Sequence, residues 1–289
     1  MDISMGLLAA FCWGATDFLV GLNARLVGVR RSVLFGQMFG FVVMSLILLL
    51  AGNQFIRLSS AGMQPLYLGL FAAFCTLIGA LALAKAFALG KTALVAPVVT
   101  TYGTFTTALA WLTGEVLTLW QFAGMGICVI GVVLVSFKKR EVSAVPAVGS
   151  TRSLGYALLA AICYGVSFWV QGKYSLPVIG PVNMLWLTYA VGIIFLWREI
   201  PRLIRNVSAI RLNTAASLCG ASLFNLAGFS AFSLGAVTGS VSIVTVISTL
   251  SGGVAALLGL LVFKERLNLP QGCGVMLVML GVLFIHLYG

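Results

Sequence analysis

Residues 4–24 form an apolar run that contains a single acid, Asp17. An ionised acid at the centre of a membrane helix costs ~2.5–3.5 kcal/mol on insertion scales, so it faces a cavity, pairs with a base, or stays protonated. Each outcome carries chemistry: a charge for a ligand, a buried ion pair, or a proton site. Lys85 is the candidate base. With ~1.5 Å of rise per residue, its depth differs from that of Asp17 by about a lysine side chain; simple snorkelling to the surface is the competing reading of Lys85.

Aromatic and hydroxyl side chains extend this candidate site. Trp13 lies one turn before Asp17, and the segment Leu7 to Gly14 (LLAAFCWG) returns as Leu158 to Gly165 (LLAAICYG). Tyr164 then stands where Trp13 does, and Phe168 stands at the place of Asp17, with Trp169 beside it. A ring with a polar tip in mid-span needs a partner or a cavity. Pro97, Thr100, Thr104 and Thr107 recur every three or four residues and share one helix face. Adding 145 to each number reaches Ser242, Thr245, Thr249 and Gly252, a second such face. The two faces are expected to meet around a central cavity; the alternative is that each hydroxyl satisfies a carbonyl of its own helix. Asn225 is polar at membrane depth, either on the cavity wall or bonding helix to helix.

Other polar residues read as structural. Gln171 and Lys173 are expected at an interface, His286 at the surface, and Glu115 and Glu265 at the starts of the fifth and tenth runs, where the helix dipole favours an acid. A Ser251/His286 dyad is conceivable, but no Gly-x-Ser-x-Gly or His-Glu-x-x-His pattern occurs. No enzyme activity is expected. Six cysteines at no metal or redox spacing call for no metal and no cofactor.

The elements that must position these residues are membrane helices. The chain is 61% hydrophobic and 8% charged, whereas roughly a quarter of the residues of soluble domains are charged. Its apolar runs fall at 4–24, 33–51, 65–88, 91–113, 119–137, 153–174, 180–198, 212–234, 236–263 and 270–288. Each approaches the ~20 residues that cross a bilayer, which predicts ten spans, and no period-2 alternation suggests a barrel. The first run has no basic region ahead of it, unlike a signal peptide.

Of the 17 Lys and Arg residues, only Arg57 and Lys173 fall at even-numbered loops or their span ends. By the positive-inside rule the odd-numbered loops are cytoplasmic and both termini face outward. This dispersal accounts for the net charge of +11, so a nucleic-acid partner is not expected; the lipid bilayer and a small molecule are. The polar stretch 138–152 separates two units, 1–137 and 153–289. Five spans in each unit make the second enter from the opposite face, and inverted repeats of this kind hold a substrate site between them in secondary transporters. The expected fold is therefore all-α and integral to the membrane, with ten transmembrane helices as two inverted five-helix repeats.

Glu115, Gln121, Gly124 and Gly131 return at the same spacing as Glu265, Gln271, Gly274 and Gly281. With the Trp-Gly pair of the first run and Ala96-Pro97-Val98 of the fourth, this pattern resembles the EamA-type transporters of the drug/metabolite transporter superfamily, across essentially the whole chain. The resemblance implies a multi-pass carrier of the bacterial-type plasma membrane that moves a small metabolite, an amino acid or related compound, mostly outward, by alternating access around a cavity between its halves. A carrier for drugs and other cationic compounds is the alternative, and a channel a remote one. In aromatic-amino-acid exporters of that superfamily, aromatic residues of the first and sixth helices line the pocket, which adds weight to Trp13 and Tyr164. The expected substrate site is Trp13, Asp17, Thr100, Thr104, Tyr164, Phe168, Asn225, Thr245 and Thr249, with Asp17 and Lys85 in coupling or gating, in a protein that acts as a monomer.

Overall fold

The computed structural model describes residues 2–50, 62–114, 116–136, 150–206, 212–238 and 247–287, and these are helical with no strand among them. In chain order the helices are α1 (Asp2–Leu26), α2 (Val29–Leu50), α3 (Met63–Leu89), α4 (Thr92–Thr100), α5 (Tyr102–Leu112), α6 (Leu119–Ser136), α7 (Ser150–Val170), α8 (Leu176–Leu196), α9 (Ile200–Asn206), α10 (Leu212–Thr238), α11 (Ser251–Val262) and α12 (Leu269–Leu287). Six stretches are long and apolar enough to cross a membrane: Ser4–Leu26, Val29–Leu50, Met63–Leu89, Thr92–Leu112, Thr151–Arg205 and Leu212–Phe232. The longest is interrupted. It carries a π-helical turn at Gln171–Ser175, and Gly180, with φ of 77°, kinks it just before Pro181. Leu119–Val135, Ser251–Val262 and Leu269–Phe284 are shorter apolar helices.

The largest interfaces all join a helix before residue 137 to one after 150. α6 lies along α12, α1 along α10 and α11, α3 along α7 and α8, α2 along α8, and α4 along α11. The two halves interdigitate instead of standing side by side. Apolar matching alone gives little specificity where the surroundings are equally apolar, so close backbone approach has to supply it. At the α6–α12 seam a Cβ on Gly131 would lie 2.7 Å from the Val278 nitrogen, and one on Gly281 would lie 2.7 Å from the Cys128 nitrogen. The repeated glycines are the contact itself.

Helix ends buried in apolar surroundings must find partners for their free backbone groups. The Arg25 side chain reaches the C-terminus of α3, where Nε donates to the Phe87 carbonyl at 3.0 Å and Nη2 to the Gly90 carbonyl at 2.7 Å. Ser153 donates to the Ala86 carbonyl at 2.9 Å. Glu265 serves the opposite pole of a neighbour: its two carboxylate oxygens accept from the backbone nitrogens of Thr92 and Ala93, each at 2.8 Å. The dipole this acid complements is thus that of α4, in the other half of the chain, and not that of the helix it precedes. α12 is instead started by a reciprocal pair in which Gln271 N donates to Asn268 Oδ1 and Asn268 N to Gln271 Oε1. Thr118 and Gln121 do the same for α6, so the repeated glutamines are capping-box residues. Glu115 lies outside the described residues.

The fourth span is not one continuous helix. Pro97 lacks a donor, the chain tightens where Thr101 N donates to the Val98 carbonyl, and α5 restarts at Tyr102. Thr100 and Thr101 hydroxyls satisfy the carbonyls of Pro97 and Val98 at 2.8 and 2.7 Å. α11 likewise begins in mid-chain, at Ser251. Gly114 and Lys264, which precede the two glutamates, both take positive φ, 97° and 51°. These landmarks align the halves at an offset near 150, so the offset of 145 used for the threonine stripes is slipped by more than one helical turn.

A central cavity around Asp17

Two adjoining chambers of about 160 and 190 Å³ lie between the halves. Asp17, Gln37, Tyr164, Tyr189 and Asn225 line both. The first chamber continues along α1 and α2 to Asn23 and Ser32, and the second continues along α3 and α7 to Thr76 and Gln171. Helices α1 to α5, α7, α8, α10 and α11 all contribute residues, so neither half alone encloses the space.

The aromatic wall is built by packing. Tyr164 stacks on Phe168 with centroids 6.0 Å apart and planes at 17°, and Tyr102 approaches Phe168 at 5.1 Å. Trp13 meets Phe229 edge-on at 5.1 Å and tilts over Phe232 at 5.6 Å. Its indole rests on Gly228, where a Cβ would come within 2.6 Å of the ring. Near Gln171 the polar groups are satisfied: Gln171 Nε2 donates to Ser167 Oγ at 2.7 Å, Thr76 and Ser167 hydroxyls lie 2.6 Å apart, and Ser167 Oγ donates to the Ala72 carbonyl at 2.7 Å.

Around Asp17 they are not. Among the described residues, Asn23, only 1% exposed, finds no partner for its amide nitrogen or its oxygen, and Gln37 finds none for its oxygen. Asp17 itself makes no hydrogen bond and no ion pair among the described residues. Asn225 reaches one partner, donating to the Tyr189 hydroxyl at 3.3 Å.

Of the residues singled out from sequence, Trp13, Asp17, Thr100, Tyr164, Phe168 and Asn225 lie on the cavity wall. Thr104 lies off it, close to Cys128 of α6, and Thr249 is fully buried away from it. Thr245, like Ser242, lies outside the described residues. Lys85 does not pair with Asp17. It lines a separate cleft with Arg30, Arg31, Tyr156 and Glu199, because Thr76, Ala80 and Leu83 are the α3 residues facing the cavity and Lys85 sits two residues, or about 200°, around the helix from Leu83. Gln171, expected at an interface, lines the cavity.

The EamA-like transporter family matches residues 1–137 and again 151–287. The chain belongs to this family. No curated protein matches it in sequence. A solved crystal structure 14% identical to this EamA-like chain superposes over 99% of it and 96% of its own length with a TM-score of 0.59, and so shares its fold. Membership makes the chain a multi-pass membrane transporter of the drug/metabolite superfamily, and in the cavity helices of both matched segments converge on an acid that has no basic side chain beside it among the described residues.

Sequence reasoning missed Asn23, Gln37, Thr76, Tyr102 and Tyr189. One signal was within reach: Trp13, Thr16, Asp17, Val20 and Asn23 follow one another at steps of three, one, three and three, a single helix face. Four of the five line the first chamber and Trp13 lines the second.

Proposed function

We propose that this protein is a secondary carrier that moves a small amine-bearing metabolite, an amino acid or related compound, outward across a bacterial-type plasma membrane by alternating access at the Asp17 cavity. The observation that carries the reading is the enclosure of that cavity by helices from both halves around one unpaired acid. Ten spans in two inverted five-helix units, 1–137 and 153–289, fit the helix packing. The α1–α10 contact has its counterpart in α7–α3, and α1–α11 in α7–α5. The α2–α8 and α6–α12 contacts are their own counterparts. On this count α4 and α5 make one broken span, as carriers with midplane sites have. α9, with Pro201, Arg202 and Arg205, lies at the surface.

The termini face outward and the 138–152 linker lies in the cytoplasm, from the partition of basic residues. An impermeant thiol reagent applied from outside is expected to label Gly289→Cys and to miss Pro146→Cys; the reverse pattern inverts the orientation. Saturable counterflow of a labelled substrate in liposomes reconstituted with the protein is the outcome the carrier reading requires. Single-channel currents in the same membranes would replace it with a channel. The protein acts as a monomer on this reading, since each chain encloses its own cavity.

A further inference from the structure

We infer that, within the amino acids and related compounds of the carrier reading, the cavity selects a small organic monocation, an ammonium group carried on an apolar or aromatic body, over the zwitterion and over an anion. The inference rests on the carrier reading and narrows it.

The charge on the wall is one-sided. Asp17 is its sole ionisable acid, and no Lys, Arg or His lines either chamber among the described residues. The nearest candidates are otherwise employed: Arg25 is bonded to the end of α3 and lies 4.8 Å over the Phe263 ring, and Lys85 belongs to the other cleft. A carboxylate entering this space would meet an acid and no cation, with the penalty of a buried unpaired charge. An ammonium group would meet Asp17, on a wall that otherwise offers only neutral polar groups such as the Asn225 amide and the Tyr164 and Tyr189 hydroxyls.

The body of the ligand has a place as well. Beyond Asp17 the second chamber is walled by Trp13, Tyr102, Tyr164 and Phe168, rings that take up apolar surface and favour a nearby cation. The two chambers together lie at the lower end of the ~300–1,000 Å³ typical of small-ligand sites. Room exists for one ring and a short amine arm.

Three probes of similar shape separate the possibilities: phenethylammonium, 3-phenylpropanoate and phenylalanine, each tested for thermal stabilisation of the purified protein and for counterflow in liposomes. Phenethylammonium is expected to stabilise the protein and to exchange saturably, with the other two binding at least about tenfold more weakly, as loss of a charge-assisted contact implies. Asp17→Asn should remove phenethylammonium binding and Asp17→Glu should retain part of it. The wild-type series decides the matter even if a variant misfolds. Binding of 3-phenylpropanoate or phenylalanine as tight as that of phenethylammonium, or no binding of phenethylammonium, overturns the cation inference while the carrier stands on whichever probe exchanges. Phenethylammonium binding with no counterflow of any probe leaves the inference and removes the carrier.

Discussion

The Asp17 cavity and the α6–α12 seam with its neighbouring cap treat polar groups in opposite ways. At Glu265, Gln121 and Gln271 the described acceptors and donors find partners at 2.8–3.3 Å. Around Asp17, the amide of Asn23 and the oxygen of Gln37, both in buried residues, are left open among the described residues. A buried polar group without a partner is expensive, so the first region reads as construction and the second as a place kept for a ligand. The repeated glutamate, glutamine and glycine pattern and the cavity wall are therefore different sets of residues, and only Trp13 of the family pattern stands on that wall.

The contrast can be broken first at Glu265. Glu265→Ala removes two charge-assisted bonds to the start of α4 and is expected to destabilise the protein by about 3 kcal/mol, read as a lowered melting temperature in detergent. Glu265→Gln should recover part of this. An unchanged melting temperature for the alanine variant would remove the structural half of the comparison. Gly281→Val comes next. Its side chain meets the backbone of Cys128, and overpacking of this kind costs about 1–3 kcal/mol; native stability with intact α6–α12 contact would show the seam to be looser than its geometry.

The fold was largely legible because membrane helices announce themselves by length and apolarity, and because the repeat is written in short identical strings such as LLAA at 7–10 and 158–161. Asp17, Trp13 and Tyr164 were legible for the same energetic reason, being polar or amphipathic in mid-span. Glu265 was read as an acid at the start of its own helix, since sequence gives no view of α4 arriving from the other half. Thr249 was misplaced by the slipped offset, which the breaks at Thr101 and Ser251 correct. Asn23 and Gln37 lie near the ends of the apolar runs 4–24 and 33–51, where an amide carries no signal from sequence alone. Only the three-dimensional arrangement reveals that no described residue bonds the Asn23 amide or the Gln37 oxygen.

The smallest expected effect lies in a third polar cluster, at the cleft that holds Lys85. Glu199 accepts from Arg202 at 3.1 Å and Arg30 at 3.5 Å. Burial alone would raise its carboxyl, but Arg202 and Arg30 outweigh that and hold it below the usual carboxylate range. A depressed folded value means that the stabilisation is present above the unfolded carboxylate range and is lost as pH falls through the folded value. Glu199→Gln should therefore narrow the difference in melting temperature between pH 7 and pH 4 slightly, because both arginines are largely exposed. A difference as large as in the parent assigns the acid sensitivity elsewhere.

The most direct measurement sets Asp17→Asn beside Lys85→Met in one counterflow assay, with melting temperature measured on the same preparations. If Asp17 is an unpaired acid held for a ligand, Asp17→Asn melts at or above the parent temperature and loses exchange, while Lys85→Met exchanges as the parent does. If Asp17→Asn is destabilised and Lys85→Met restores it, the two form a structural pair in the membrane. Parental exchange by a folded Asp17→Asn protein would contradict the account outright.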